Sequence, residues 1–387
     1  MAGTTRYVRS DAAGGGDGTT DTNSGANGAY TITEAAAVVG TGIDFHVKTG
    51  TYTLAANLTL GAGSTESPNR WIGFKTTPGD LESVGRATAT GELDDTDFPI
   101  IDGVGSYGVT MGSHNSLRCL TITGSANGVL LTASTSYHVW RVRIEQSNAS
   151  GSSAKCFSNS TNYGSLSDCD LLLASTSGSA VIVSVGRGGC VGCRVWHTGS
   201  PASGSIGISA IDVGSTVHGC IVYNVGIGID VGANTGAFSS NTIHGCVDGI
   251  RLGNNGAIIA ENIIYSMSGY GIKGNTSSGN PLILNNAMGS LTSGRIDTTG
   301  AGTVIEEVLG VTLTGDPTRP QLELEVARAQ AELAELGRRL DQLHQLQQFL
   351  VAQALHAHVV SFRNLVSLNE TNSFIGRNDC TAAIEWQ

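Results

Sequence analysis

Residues 237–265, AFSSNTIHGCVDGIRLGNNGAIIAENIIY, contain the same short pattern twice. Asn241 and Asn262 stand 21 residues apart, and each follows an apolar residue by three positions and precedes an isoleucine by two. Short apolar segments on either side of a polar turn residue are typical of β-strands that meet at a bend. A unit of this length cannot bury its apolar side chains alone, so successive units are expected to stack.

The same pattern extends in both directions from this stretch. Its anchor column has spacings of 24, 27, 21, 21 and 24 residues and consists of Cys169, Cys193, Cys220, Asn241, Asn262 and Asn286. All twelve residues that lie three before or two after an anchor are apolar or cysteine. The chain is therefore predicted to be an all-β solenoid in which equivalent residues stack about 4.8 Å apart as ladders.

Asparagine and cysteine suit the anchor column for different reasons. Asparagine tolerates the left-handed backbone of a bend, and stacked amides can hydrogen-bond along the solenoid axis. Cysteine behaves there as a small buried hydrophobe. A second column begins with glycine, at residues 128, 228, 249 and 271.

Cys190 and Cys193 form a CxxC motif, which also occurs in zinc and redox sites. No second CxxC and no histidine pair at zinc-ligand spacing accompanies it. Cys190 aligns with Val217, and Cys193 aligns with Cys220 in the anchor column. We interpret the motif as part of the core, and we predict no metal and no cofactor.

The composition excludes several classes of protein. Glycine makes up 54 of 387 residues, whereas 14% of residues are charged and 40% are hydrophobic, with a mean hydropathy of +0.04. Intrinsically disordered chains combine low hydrophobicity with high charge, which is the opposite of this composition. Collagen needs glycine at every third position and more than the 7 prolines present here. No run of 18 apolar residues occurs, so membrane insertion is not expected.

The net charge and the cysteine content restrict the binding partners and the cellular compartment that we expect for the protein. The net charge of −11 argues against nucleic acid as a partner, because phosphate contacts need clustered Lys and Arg. The opening MAGTTRYVRSDAAGGG has no apolar core, so we predict no signal peptide. Eight cysteines are too sparse for a disulfide scaffold, and reduced thiols are expected.

The N-terminal text resembles a known family. YVRSDAAGGGDG, TITEAAAVV, DFHVKTGTYTL, RWIGFK and FPIIDG occur in that order. They resemble the opening of pectate-lyase-like right-handed parallel β-helices, in which a strand and a short capping helix precede the first coil. The resemblance covers roughly residues 6–310 and implies a right-handed parallel β-helix. That fold carries lyases, hydrolases, phage tailspikes and structural fibres, so function must be argued from the site.

The composition changes near residue 320. We predict a parallel β-helix with an N-terminal cap over 1–310, a linker over 311–320, a coiled-coil oligomerisation helix over 321–358 and a C-terminal tail over 359–387 that serves in attachment or capping. A heptad repeat supports the coiled coil, and the polar residue in its seam would set the register. The predicted seam consists of Val326, Ala329, Leu333, Leu336, Leu340, Leu343, Gln347 and Leu350. The alternative is one amphipathic helix packed on its own domain.

An outward face is predicted from strand alternation. It combines an aromatic column with two aliphatic neighbours, and it consists of Leu172, Trp196, Tyr223, His244, Tyr265, Ile221 and Ile263. Three interpretations stay open: an interface between protomers, a platform on which sugar rings stack, and a face covered by long inserts.

Candidate acids are scarce on the repeats. Glycosidase chemistry needs two neighbouring carboxylates, and no acidic cluster recurs in one column. Asp168, Asp170 and Asp212 are the candidates that remain. We assign no catalytic residue.

Two functions follow from these patterns. The first is a structural virion protein of a bacteriophage: a homotrimeric tail fibre, tailspike or head-decoration protein, assembled in the bacterial cytoplasm. Its partners would be copies of itself, other virion proteins and a bacterial surface polysaccharide. The alternative is a polysaccharide depolymerase, either a glycoside hydrolase or a lyase, on the same scaffold. A groove with paired acids favours the enzyme, whereas a flat apolar face favours the appendage.

Overall fold

A computed structural model gives the architecture. It describes residues 3–87, 90–104, 107–124, 129–133, 135–147, 154–159, 163–174, 181–200, 204–232, 236–253, 256–274 and 281–297, and the strands at 305–307 and 312–313. These residues form a parallel β-solenoid of about nine turns. Among these residues, the structure has one short α-helix, Ile32–Ala36.

Three parallel sheets build the solenoid, and a complete coil supplies one strand to each in the order A, B, C. Sheet A consists of Thr4–Val8, Ile43–Lys48, Asn69–Phe74, Asn115–Arg118, Tyr137–Trp140, Gly164–Ser167, Gly189–Val191, Thr216–His218, Ala237–Ser239, Ile258–Ala260, Leu282–Leu284 and Ile305–Glu307. Sheet B consists of Thr51–Thr53, Ile100–Gly103, Thr121–Gly124, Arg143–Gln146, Asp170–Leu173, Arg194–His197, Ile221–Tyr223, Thr242–His244, Ile263–Met267, Ala287–Leu291 and Thr312–Leu313. Sheet C consists of Leu58–Leu60, Val109–Met111, Val129–Ala133, Lys155–Ser158, Val181–Val185, Ile206–Ala210, Ile227–Val231, Asp248–Leu252, Tyr270–Lys273 and Gly294–Asp297.

The interior is one apolar column that runs along the axis. Buried aliphatic residues from all three sheets form a single cluster that extends from Val8 to Met288. The helix at the N-terminal end contributes Ile32, Ala35 and Ala36 to this cluster. Thr31 caps that helix, because its hydroxyl accepts from the Glu34 amide while the Glu34 carboxylate accepts from the Thr31 amide.

The corner between sheets A and B is a two-residue turn in most coils. The first residue of the turn has a left-handed backbone, and the anchor residue follows it. The expectation that asparagine supplies the left-handed position is therefore wrong. That position varies in residue type and is occupied by Cys119, Arg141, Asp168, Gly192, Gly219, Ser240, Glu261 and Asn285.

Candidate functional site

The anchor residues lie at the corner between sheets A and B. Asn241, Asn262 and Asn286 are buried and linked in series. The Asn262 side-chain oxygen accepts from the backbone and side-chain nitrogens of Asn241 at 3.0 and 2.9 Å, and the Asn286 oxygen accepts from Asn262 at 3.0 and 2.8 Å. Cys169, Cys193 and Cys220 occupy the same corner in earlier coils and are fully buried. This column is a structural element of the core.

The aromatic column lies on the outer side of sheet B as one continuous stack. Ring centroids of Trp196, Tyr223, His244 and Tyr265 are 5.7, 5.0 and 5.1 Å apart in sequence, with planes within 10° of parallel. Rings that face one another along the axis turn their edges outward. The three spaces between these rings are therefore closed to a sugar ring, which argues against a stacking platform there.

The remaining residues of the predicted outward face differ in exposure. Leu172 and Trp196 are only 5% exposed, whereas Ile221 is 36% exposed. Ile263 lies beside Thr242 on sheet B and is half-buried. Leu172 and Trp196 are therefore not part of an open surface.

Residues 75–87 and 90–98, which we call the strap, belong to a long insert at one corner between sheets A and B and extend over later coils. The Arg86 guanidinium donates to the Asp170 carboxylate at 2.6 Å and to the Gly192 carbonyl at 3.3 Å. The Leu93 amide donates to the other Asp170 oxygen at 2.7 Å. Arg194, whose guanidinium lies 5.6 Å from the Trp196 ring, donates to the carbonyl of Thr90. An insert therefore docks beside Trp196.

Two of the candidate acids share a partner. Arg86 donates to the carboxylate of Asp170 at 2.6 Å and to the backbone carbonyl of Asp168 at 3.0 Å. Asp170 is fully buried, and burial raises the pKa of its carboxyl. Asp212 follows a strand of sheet C and pairs with Arg187 at 3.3 Å. The buried Asp170 has no exposed surface with which to reach a substrate. The predicted coiled-coil seam from Val326 to Leu350 lies outside the described residues.

A groove of about 800 Å³ runs across the outer face of sheet A. Its floor includes Arg70, Ser116 and His138, which are register neighbours on three adjacent strands. Its lining also includes the 64–68 segment and Tyr163, which is 69% exposed. This groove, which lies on a different sheet from the predicted aromatic face, is a concave polar site.

Polar atoms at the groove floor lack partners in the described part of the chain. The Ser116 hydroxyl and the Arg118 Nε are buried without a hydrogen bond. Arg118 otherwise lies 3.8 Å from the Glu82 carboxylate and 5.9 Å from the Trp140 ring. The Arg118 side chain as a whole is 30% exposed, so its guanidinium can donate to a polar ligand in the groove.

The groove carries both signs of charge. Its described lining includes two arginines and two histidines but only one carboxylate, that of Glu66. Arg70 is neutralised by Asp44 through bonds of 2.5 and 2.6 Å. Burial, and then the charge of Arg118, lower the pKa of His138. The imidazole is therefore neutral at neutral pH, where it can accept a proton.

The sequence carried a signal for this groove that the repeat alignment missed. The position four before the anchor reads Ser116, His138 and Ser165 in early coils, and Ile258 and Leu282 in late ones. The alignment began at Cys169, so the polar start of this column was not compared with its apolar end.

Comparisons with known proteins identify the architecture. A pectate lyase, Pel9A, aligns with a TM-score of 0.54 at 13% identity, over 77% of this chain and 80% of that chain. A GH136 lacto-N-biosidase from Eubacterium ramulus gives 0.49 at 11%, over 80% and 68%, and an alginate lyase from Paenibacillus sp. str. FPU-7 gives 0.45 at 12%, over 69% and 96%. The chain folds as a right-handed parallel β-helix.

The likeness establishes the fold of the β-helix and leaves its reaction open. No protein-family model matches the sequence, and no curated protein matches it either. Within the described part of the β-helix, no group of three or more His, Cys, Asp or Glu side chains is placed to hold a metal ion. No helix among the same residues is long and apolar enough to cross a membrane.

Proposed function

We propose that the β-helix is a polysaccharide depolymerase that holds an acidic glycan in the sheet A groove. The observation that carries the proposal is the groove floor, where the Arg118 side chain is 30% exposed and lies near His138. A glycan offers the hydroxyl and carboxylate groups that a guanidinium binds. The exposed ring of Tyr163 adds an apolar surface for a sugar face.

One cation of the groove, Arg118, favours an acidic glycan. The protein as a whole is acidic, yet the groove brings Arg118 and His138 together and has one carboxylate among its described lining residues. Arg118 has only the distant Glu82 as an ionic partner, so its guanidinium retains donors for a uronate carboxylate. Pel9A is a pectate lyase, which fits a substrate of this class.

The same lining favours β-elimination over hydrolysis. Hydrolysis by the common mechanisms needs two carboxylates, and Glu66 has no second carboxylate beside it in the described lining. Elimination needs a base that removes the proton from C5 of a uronate, after which the C4–O bond breaks and a C4–C5 double bond forms. The neutral His138 imidazole can accept that proton, and Arg118 can stabilise the charge that develops on the carboxylate.

The first test is incubation of the full chain with de-esterified pectate and with alginate. We expect new reducing ends together with the ultraviolet absorbance of unsaturated uronate. Reducing ends without that absorbance would indicate hydrolysis and contradict the elimination step. Tight binding with no cleavage of either substrate would contradict the depolymerase and leave a binding protein.

His138→Gln tests the assignment of the base. We expect kcat to fall by about 100-fold or more. In the native chain the rate should be full at neutral pH and be lost as the pH falls through the lowered pKa of His138, because only the neutral imidazole accepts the proton. His218→Gln is the matched control, since His218 lies on sheet A outside the groove and should leave kcat unchanged.

The virion-appendage interpretation stays a prediction. It depends on the 321–358 segment, which lies outside the described residues. Sedimentation of the full chain tests its oligomeric part: a trimer at micromolar concentration would support it, and a monomer would contradict it.

A further inference from the structure

Two cysteines of the β-helix interior lie unusually close together. The Cys190 and Cys220 sulfurs are 3.7 Å apart, and the Cys220 thiol also donates to the Cys190 carbonyl at 3.2 Å. Cys190 lies on the inward side of a sheet A strand, and Cys220 lies at the corner of the next coil. Both are fully buried. The pair therefore brings sulfur atoms of two successive coils into contact.

Three other buried cysteines have different surroundings. The thiols of Cys119, Cys156 and Cys246 donate to backbone carbonyls at 3.5, 3.1 and 3.3 Å. Among the described cysteines, Cys193 is the competitor, because its thiol lies within hydrogen-bonding reach of both members of the pair and of Cys169. A bond between Cys190 and Cys193 would close a loop within one turn, whereas Cys190 and Cys220 enclose 29 residues between them.

We propose that Cys190 and Cys220 are a site of oxidative cross-linking, at which a low-molecular-weight disulfide converts the two thiols into one buried disulfide. The two thiols lose two protons and two electrons, and the oxidant is reduced to two thiols through a mixed-disulfide intermediate. Relative to a bond length of about 2.05 Å, the sulfurs must approach by about 1.7 Å, which side-chain rotation can supply. The bond would fix neighbouring coils beside Gly192, where Arg86 docks the strap.

Access to this site requires folding or local opening. Both sulfurs are sealed from solvent. Because the oxidant must reach a sulfur atom to form the mixed disulfide, the folded protein should resist oxidation and react during refolding. The presence of this disulfide would therefore depend on the redox conditions under which the chain folds.

The test is refolding of the full chain with oxidised glutathione, followed by mass spectrometry and tryptic mapping. We expect a loss of two hydrogens and a fall from eight to six free thiols when the product is titrated in denaturant. Trypsin cuts after Arg187 and Arg194, so the bond should join peptide 188–194 to peptide 195–251. No change in mass, or a bond elsewhere, would overturn the proposal.

Three single variants resolve which cysteines react. Cys190→Val should abolish the cross-link, and valine suits the site because Val217 is its register neighbour. Cys193→Ser should retain the cross-link, and its loss in that variant would assign the bond to Cys193 instead. Cys246→Val is the matched control, with a buried thiol in the same second peptide, and should behave like the native chain. Circular dichroism of each variant verifies refolding, and oxidation of the native protein after partial denaturation gives a second route should a variant misfold.

Discussion

At the scale of single residues, the asparagine ladder shows how a polar side chain can be required inside an apolar column. Asn262 is fully buried, and its amide completes four hydrogen bonds. Two of these satisfy backbone groups, the amide of Asn241 and the carbonyl of Phe238. Within the turn these two backbone groups have no backbone partner, so the Asn262 side chain forms their hydrogen bonds.

Asn262→Ala should lower the free energy of unfolding by about 3 kcal/mol, because several buried polar groups lose their partners at once. Urea denaturation followed by circular dichroism measures this. Thr216→Ala, at an exposed position of sheet A, is the control and should change stability by no more than about 0.5 kcal/mol. Equal stability of the two variants would contradict a structural role for the ladder.

The glycine column has a packing reason that is also residue-specific. A Cβ at Gly228 would lie 2.5 Å from the Ile243 side chain and 2.6 Å from the Gly249 carbonyl oxygen. The glycines therefore permit close approach between sheets B and C. The backbone oxygen cannot move aside as a side-chain methyl can.

Gly228→Ala should destabilise the protein by about 1–3 kcal/mol through overpacking. The measurement is the shift of the urea midpoint. Gly85→Ala is the matched comparison, since no atom lies within 4 Å of its added Cβ and its backbone is not left-handed. A Gly228 variant as stable as the Gly85 variant would show that the interior is looser than these distances indicate.

At the scale of elements, the strap is held mainly by polar contacts at its far end and by apolar contacts at its base. Leu81 and Phe98 pack with Cys119 in a small separate cluster near the base. Further along, Arg143 lies 3.2 Å from Glu92 and 3.7 Å from Asp95. The buried Asp170 carboxylate receives two donors from the strap, so it is the contact whose loss should matter most.

Asp170→Ala should free the distal part of the strap, because the Arg86 guanidinium and the Leu93 amide lose their common acceptor. We expect faster proteolysis between residues 86 and 94, detected by mass spectrometry of the fragments. Asp97→Asn is the control, because the Lys75–Asp97 pair on the same strap is exposed and contributes little. Unchanged cleavage in the Asp170 variant would contradict this anchoring role.

At the scale of the whole molecule, one apolar cluster extends along the described β-helix. Each coil contacts its neighbours, so a defect in one coil is transmitted through nearest-neighbour interfaces. The cluster has no break between its first and last members, which favours cooperative unfolding of the stack.

Val47→Ala and Ile264→Ala test that cooperativity, since both side chains are fully buried and they lie in distant coils. Each should lower the midpoint of the same β-sheet transition, by about 1–4 kcal/mol in free energy of unfolding. The measurement is urea denaturation followed by far-ultraviolet circular dichroism. Two separate transitions, each sensitive to one variant, would show that the coils unfold as independent blocks.

The repeat in the sequence was sufficient for the all-β solenoid, because stacking forces equivalent residues into columns whose chemistry recurs at a visible period. The spacing of Asn241 and Asn262 predicts that period from the sequence, and the parallel order of the strands follows from it. Only the tertiary structure showed that the strap docks beside Trp196 and that Ser116, Arg118 and His138 share a groove. The strap depends on contacts between coils of unlike sequence, and such contacts leave no periodic trace. The groove leaves a short polar run in one column, but its concave shape depends on the 64–68 segment and Tyr163, which lie outside the strands.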